Sequence, residues 1–172
     1  RSERRGGETR IEFLCGGRAL ADYQRTLVSA DSAFDRWYYG GEPDAMSPQA
    51  KAGFFIFSAS GCGDCHRFGH RFAQFTDDAL HRTGLPGLDT GLAEVSGKAE
   101  DRYRFRTPTL RDVARTAPYM HDGRFASLME VINFYDLGGG PDESGETVLP
   151  PLGLSEGDKQ SLIAFLESLT GA

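Results

Sequence analysis

Cys62-Gly63-Asp64-Cys65-His66 is the stretch whose residue types and spacing carry a definite chemistry. Two cysteines separated by two residues and followed at once by histidine form the attachment signature of a c-type haem. Each thiol adds across one porphyrin vinyl group, and the two intervening residues let one short turn present both sulfurs to one edge of the ring. The adjacent histidine then swings under the ring and gives its imidazole nitrogen to the iron. Cys62 and Cys65 are therefore expected as thioether anchors, and His66 as the proximal axial ligand, of one covalent haem c. Two other chemistries use the same residue types. A structural zinc site needs four closed ligands, and Cys62, Cys65, Cys15 and one histidine would make a set. A thioredoxin-like redox pair belongs beside a βαβ pattern, and the sequence shows no such alternation.

Length and composition bound what can surround this motif. The chain has 172 residues, 39% of them hydrophobic, which fits one domain with its own core. Twelve phenylalanines suit a pocket built against a flat apolar ring. The net charge of −6 argues against nucleic acid as a general partner. Positive charge is almost wholly arginine, the only lysines being Lys51, Lys98 and Lys159. Arginine's planar fork matches carboxylates such as haem propionates, and Arg104, Arg106 and Arg111 are the candidates for those contacts. The longest fully apolar run, Phe54 to Phe57, is too short for a membrane span. Covalent haem attachment in bacteria takes place outside the cytoplasm, so a periplasmic location is expected. The chain begins at Arg1 without a leader, as a processed form or a segment of something longer would. Once the haem takes two cysteines, Cys15 is left over, either as a buried thiol or bonded outside this chain.

The elements that must position the motif follow from pattern and punctuation. Residues 1–16 are a polar lead-in, mobile or held by a partner, and 17–172 form the domain. Leu20, Tyr23, Leu27 and Val28 recur at helical spacing from Gly17 to about Ser29. A short helical turn is expected within Asp31–Tyr39. Ser47-Pro48 starts a helix, serine as cap and proline at the first position. That helix runs to about Ser58, and Phe54, Phe55, Ile56 and Phe57 make its end apolar nearly all round, hence buried. It delivers the chain to Cys62 through Gly61, with Gly63 also permitting a tight turn. Residues 67–100 are weakly periodic, a long loop with at most short strands, and Pro108 can open a short helix. Ser127 and Glu130 form a capping box ahead of Leu128, Val131, Ile132 and Tyr135 on one helix face, stopped by Gly138–Gly140. Ser155 and Asp158 open the last helix, whose buried face is Leu162, Ile163, Leu166 and Leu169.

A haem with one histidine has an open face unless a second side chain fills it. Met120, Tyr135, His121, His70, His81, Met46 and Met129 are the candidates. His70 follows His66 too closely to reach the far side, and His81 sits in a polar stretch as a surface or hydrogen-bonding residue. Met129 points away from the apolar face of its helix, and Met46 precedes a cap without ligand context. The residues alone leave the Met120 loop and Tyr135 open. Tyr135 lies on a buried face, where its phenol needs a partner: iron, or a backbone carbonyl. Phenolate favours ferric iron and lowers the potential, whereas methionine raises it.

From about residue 19 onward the sequence resembles the C-terminal haem domain of the bacterial dihaem cytochrome c peroxidases and their MauG-type relatives. The resemblance is carried by Arg25 to Ser32, the haem motif, Phe105 to Arg111, Ala117 to Gly123 and Val131 to Gly139. It implies a mainly α, class I-like c-type cytochrome domain with long loops. In the peroxidases the distal ligand is a methionine fourteen residues beyond the histidine that matches His121, which leads here to Tyr135. MauG-type members carry a ligating tyrosine there, so the resemblance points to Tyr135, with Met120 as the alternative. It also matches Thr116 and Pro118 to residues whose backbone carbonyls help hold an interdomain calcium, and His121 to a histidine near the second haem domain. The family has two haem domains, and this chain has one haem motif. The resemblance therefore implies electron transfer within a peroxide-dependent oxidoreductase, with a second haem domain as partner and a redox protein or protein substrate beyond it. The alternatives are a stand-alone single-haem carrier with His/Met ligation, a peroxidase acting alone with an open distal face, and a zinc-stabilised module.

Overall fold

The computed structural model describes residues 16–26, 29–69, 72–85, 87–141 and 148–171. Cys15 and His70 lie outside the described residues, as do Leu27, Val28 and nearly all of the expected lead-in. Residues 16–26 are helical (α1), and their apolar side chains Leu20 and Tyr23 are exposed.

Four of the helices begin where a serine accepts a free N–H, three of them with a reciprocal acidic partner. α2 (Ala33–Tyr38) opens on a reciprocal Ser32–Asp35 capping box, α6 (Leu128–Asp136) on Ser127–Glu130, and α7 (Glu156–Glu167) on Ser155–Asp158. α3 (Pro48–Ala59) has Ser47 as cap and proline at its first position. α4 (Cys62–Cys65) is a single turn entered through Gly61, whose φ of 78° is left-handed. Gly63 sits inside α4 and does not need a positive φ, so Gly61 alone supplies the turn. α5 (Ala93–Ser96) and 3-10 turns at Ala99–Asp101 and Val113–Arg115 complete the helical pieces described.

α3 and α7 form the main helix pair. They cross at Gly53, where a Cβ would stand 1.9 Å from the Ser161 carbonyl oxygen, so only glycine permits the approach. The core around this crossing is aromatic: Phe34, Phe54, Phe57, Phe75 and Phe165 are all buried. Their rings meet edge-on or tilted, as between Phe34 and Phe75 (5.1 Å) and Phe57 and Phe165 (5.0 Å). Phe165 completes this core on the α7 face read as Leu162, Ile163, Leu166 and Leu169. The end of α3 is not buried all round: Phe54 and Phe57 face the core, while Phe55 is 64% exposed. Successive residues on a helix point about 100° apart, and only one side of α3 meets α7.

The loop expected over 67–100 carries a three-residue strand, β1 (Leu80–Arg82), pairing antiparallel with β2 (Arg104–Arg106). No helix opens at Pro108. Thr107 donates its N–H to the Ala79 carbonyl, and Thr76 and Thr109 bond across to the Thr107 and Gln74 carbonyls. These cross-links hold 107–110 extended beside 74–79.

Candidate functional site

The site is built from α4 outward. Cys62 and Cys65 are one helical turn apart, so their side chains share one face. Both are free thiols. Burial pushes Cys62 up to about 11, with Asp64 and Cys65 adding to it; burial, then Asp77 and Asp64, also raise Cys65. This is the opposite of the electropositive setting that activates a redox Cys-x-x-Cys pair.

His66 closes α4, its N–H bonded to the Cys62 carbonyl. Its Nδ1 lies 2.9 Å from the Phe75 carbonyl oxygen. A carbonyl only accepts, so Nδ1 carries the proton and Nε2 keeps its lone pair for a metal. Phe75 turns its carbonyl there from a left-handed conformation (φ 54°), its ring fully buried. Burial lowers the His66 pKa, against the raising influence of the Phe75 and Pro108 carbonyls, and so favours the neutral ligand form.

Tyr135 projects from α6, on the face that buries Ile132. Burial raises its pKa to about 12; a side-chain hydrogen bond with Thr83 works against this, and the Cys62 and Cys65 thiols add to it. The phenol thus lies within electrostatic reach of both cysteines. Thr83 is placed by backbone: Gly140 N–H donates to the Thr83 carbonyl at 3.1 Å. Beside it, Gly84 (φ 70°) meets Gly140 so closely that a Cβ on Gly84 would stand 2.0 Å from the Gly140 oxygen. The glycines read in the sequence as a helix stop therefore also dock the 83–84 segment. Phe75 and Thr83 had no motif to single them out.

The other candidates fall elsewhere. Met46 is buried in the core, Met129 is half-buried on α6, and Met120 is half-buried at φ 70°. His81 bonds Asp77 at 2.7 Å. His121 is exposed and stacks face to face on Phe105, centroids 3.7 Å apart. Thr116 and Pro118 are exposed. Of the arginines read as propionate contacts, Arg104 lies 3.8 Å from Asp101 and Arg106 pairs with Asp78. Arg111 is not available to a propionate: it is buried and bidentate to Asp35, 2.7 Å on each arm. The sequence could not place Asp35, 76 residues away, beside it. Among the described residues, Cys65, Asp77 and His81 form a group of possible metal donors, within 4.8 Å of one another. It excludes Cys62 and is not the four-ligand zinc set.

No family model matches the chain. It is 42% identical over 155 residues to the methylamine utilization protein MauG of Methylorubrum extorquens, covering 88% of this chain and 42% of that protein. It is 39% identical over 184 residues to the cytochrome-c peroxidase IdrP1 of Pseudomonas sp. (strain SCT), covering 89% and 48%. The chain belongs to the MauG and cytochrome c peroxidase family. It spans about half the length of the curated relatives it matches. The crystal structure of the diheme peroxidase BthA from Burkholderia thailandensis shares the fold, with a TM-score of 0.70 at 22% identity, over 82% of this chain and 46% of that one. Membership makes this a mainly helical domain of the haem-peroxidase kind. Among the described residues no helix is long and apolar enough to cross a membrane.

Proposed function

We propose that this chain is the electron-transferring haem domain of a MauG-like or cytochrome c peroxidase-like oxidoreductase, with the class I-like cytochrome arrangement and a periplasmic location. It corresponds to the C-terminal haem domain of that family. The observation that carries the reading is the meeting of two separate elements. α4 presents two thiols and an imidazole whose Nδ1 is held by the Phe75 carbonyl, and α6 places the Tyr135 phenol where both thiols influence its ionisation.

The residues fit a covalent haem c. Cys62 and Cys65 would anchor it, His66 would ligate the iron from the proximal side, and Tyr135 would face it from the distal side. When bound, the haem supplies one-electron redox chemistry. The chain's own residues set its terms. Phe75 holds the His66 tautomer, and the buried phenylalanines beside α4 keep water away. Thr83 holds the Tyr135 hydroxyl, and a phenolate there would favour the ferric state. Since the chain spans about half the length of its curated relatives, a second haem domain would take the peroxide chemistry, and this domain would relay electrons to it from a protein donor or substrate. The exposed carbonyl-bearing turn at Thr116 and Pro118 would hold a calcium at that boundary.

The test is expression with haem-attachment machinery, followed by mass spectrometry and optical and EPR spectra. A covalent haem lost in Cys62→Ala/Cys65→Ala, with a low-spin ferric signal lost in Tyr135→Phe and kept in Met120→Leu, supports the reading. A colourless protein refutes it. A methionine charge-transfer band lost in Met120→Leu would make this a His/Met electron carrier.

A further inference from the structure

Arg111 is buried and bonded by every arm of its guanidinium, and the haem reading gives it no direct task. Its Nε donates to the Ala73 carbonyl at 2.6 Å, one arm to Ser32 Oγ at 3.2 Å, and both arms to Asp35. Its guanidinium carbon stands 4.8 Å from the Phe72 ring centroid and 5.6 Å from that of Phe75. Arg111 therefore grips the segment 72–75 by one carbonyl and two rings.

That segment lacks strand partners at these positions and is stitched by side chains instead. Arg111 takes the Ala73 carbonyl, Thr109 Oγ1 takes the Gln74 carbonyl at 2.6 Å, and Thr76 Oγ1 reaches the Thr107 carbonyl at 2.7 Å. Between these ties lies the left-handed Phe75, whose carbonyl receives His66 Nδ1–H. We propose that Arg111, held by Asp35, is a positioning residue for the proximal ligand: it fixes the Phe75 carbonyl and through it the tautomer and orientation of His66. This rests on the haem reading above. The task needs a planar fork that donates in several fixed directions, which lysine does not supply. A partner that accepts the outer proton of a ligating histidine raises its basicity, and losing such partners typically costs about tenfold or more in metal affinity or activity.

The experiment compares holoproteins by midpoint potential and by the iron–histidine stretch in resonance Raman spectra of the reduced form. Arg111→Lys is expected to raise the potential, by about tenfold in the ferrous-to-ferric ratio at fixed electrode potential, and to lower the stretching frequency. Thr109→Val, which cuts the tie to the neighbouring Gln74 carbonyl and the bond Thr109 Oγ1 accepts from the Arg111 N–H but leaves the Arg111 guanidinium contacts in place, is expected to move both in the same direction by less. It decides the matter if Arg111→Lys does not fold. Leu162→Ala, a core truncation on α7 that removes no hydrogen bond, should lower the melting temperature and leave both signals in place. Haem-loaded variants that keep the wild-type potential and stretch overturn the assignment of Arg111. A wild-type protein that takes up no haem overturns the haem reading itself.

Discussion

The position of Tyr135 predicts that reduction takes up a proton. Its pKa is pushed to about 12 by burial, outweighing the Thr83 hydrogen bond. To sit on ferric iron as phenolate at neutral pH, it must be pulled from about 12 to below 7. At ~1.4 kcal/mol per pKa unit that is about 7 kcal/mol favouring the ionised form, which only a nearby metal charge can supply. When the iron is reduced that pull weakens and the phenol regains its proton. One electron then travels with one proton, and the midpoint potential falls with rising pH by about 59 mV per pH unit. The slope begins above the phenol's pKa in the ferric protein and ends at its higher pKa in the ferrous one. The assay is a set of redox titrations from mildly acidic to alkaline pH, on wild type and Tyr135→Phe. The variant should have a higher potential with the slope gone. Its stability should change little, because a half-buried Thr83 can turn to water: roughly 1 kcal/mol, or 2–4 °C in melting temperature. A wild-type potential independent of pH, or a slope that survives in Tyr135→Phe, would refute the argument.

Three further expectations concern the frame. Burial raises the Asp35 pKa, but Arg111 and Ser32 outweigh it and hold the carboxyl below its usual value. Its contribution is therefore complete above the unfolded value of ~3.9 and drains away as pH falls through the lower folded value. Asp35→Asn should destabilise the neutral protein and flatten the acid limb of a urea-midpoint profile; an unchanged acid limb would contradict this. Gly84→Ala adds a left-handed penalty of about 1–2 kcal/mol to a clash with the Gly140 carbonyl. It should lower the melting temperature and, in the haem-loaded protein, disturb the distal signal assigned to Tyr135. Phe54→Ala should cost ~3–5 kcal/mol by denaturant titration and Phe55→Ser less than about 0.5, since only the first is buried.

Local signals were plain in the sequence where short-range physics decides the structure. Ser32, Ser127 and Ser155 each meet an acidic residue three positions on, and all three make capping boxes. Ser127–Glu130 and Ser155–Asp158 stand ahead of periodic apolar runs that mark them as helix starts, whereas Ser32–Asp35 precedes only a short aromatic segment. Cys62, Cys65 and His66 are legible because their geometry lies within one turn. The extent of Phe55's exposure was not, because an all-apolar run has no polar side to orient it. The long-range ties escaped notice for a different reason. Arg111 reads in the sequence as a candidate propionate contact because its partner Asp35 becomes its neighbour only on folding. Thr83 and Phe75 act through a hydroxyl and a carbonyl that every threonine and every residue possess, so nothing in their identity announces a role.

The contact of Gly84 with Gly140 has a consequence for how this site can change. Peptide against peptide is an incompressible spacer, and it fixes how far α6 stands from the loop that follows the haem motif. That spacing involves backbone alone and does not depend on the side chain at position 135. Exchanging that residue would change the side chain offered between the two elements and leave their spacing intact. On the haem reading, position 135 would be a socket, where substitution varies the redox tuning and leaves the contact of Gly84 with Gly140 in place.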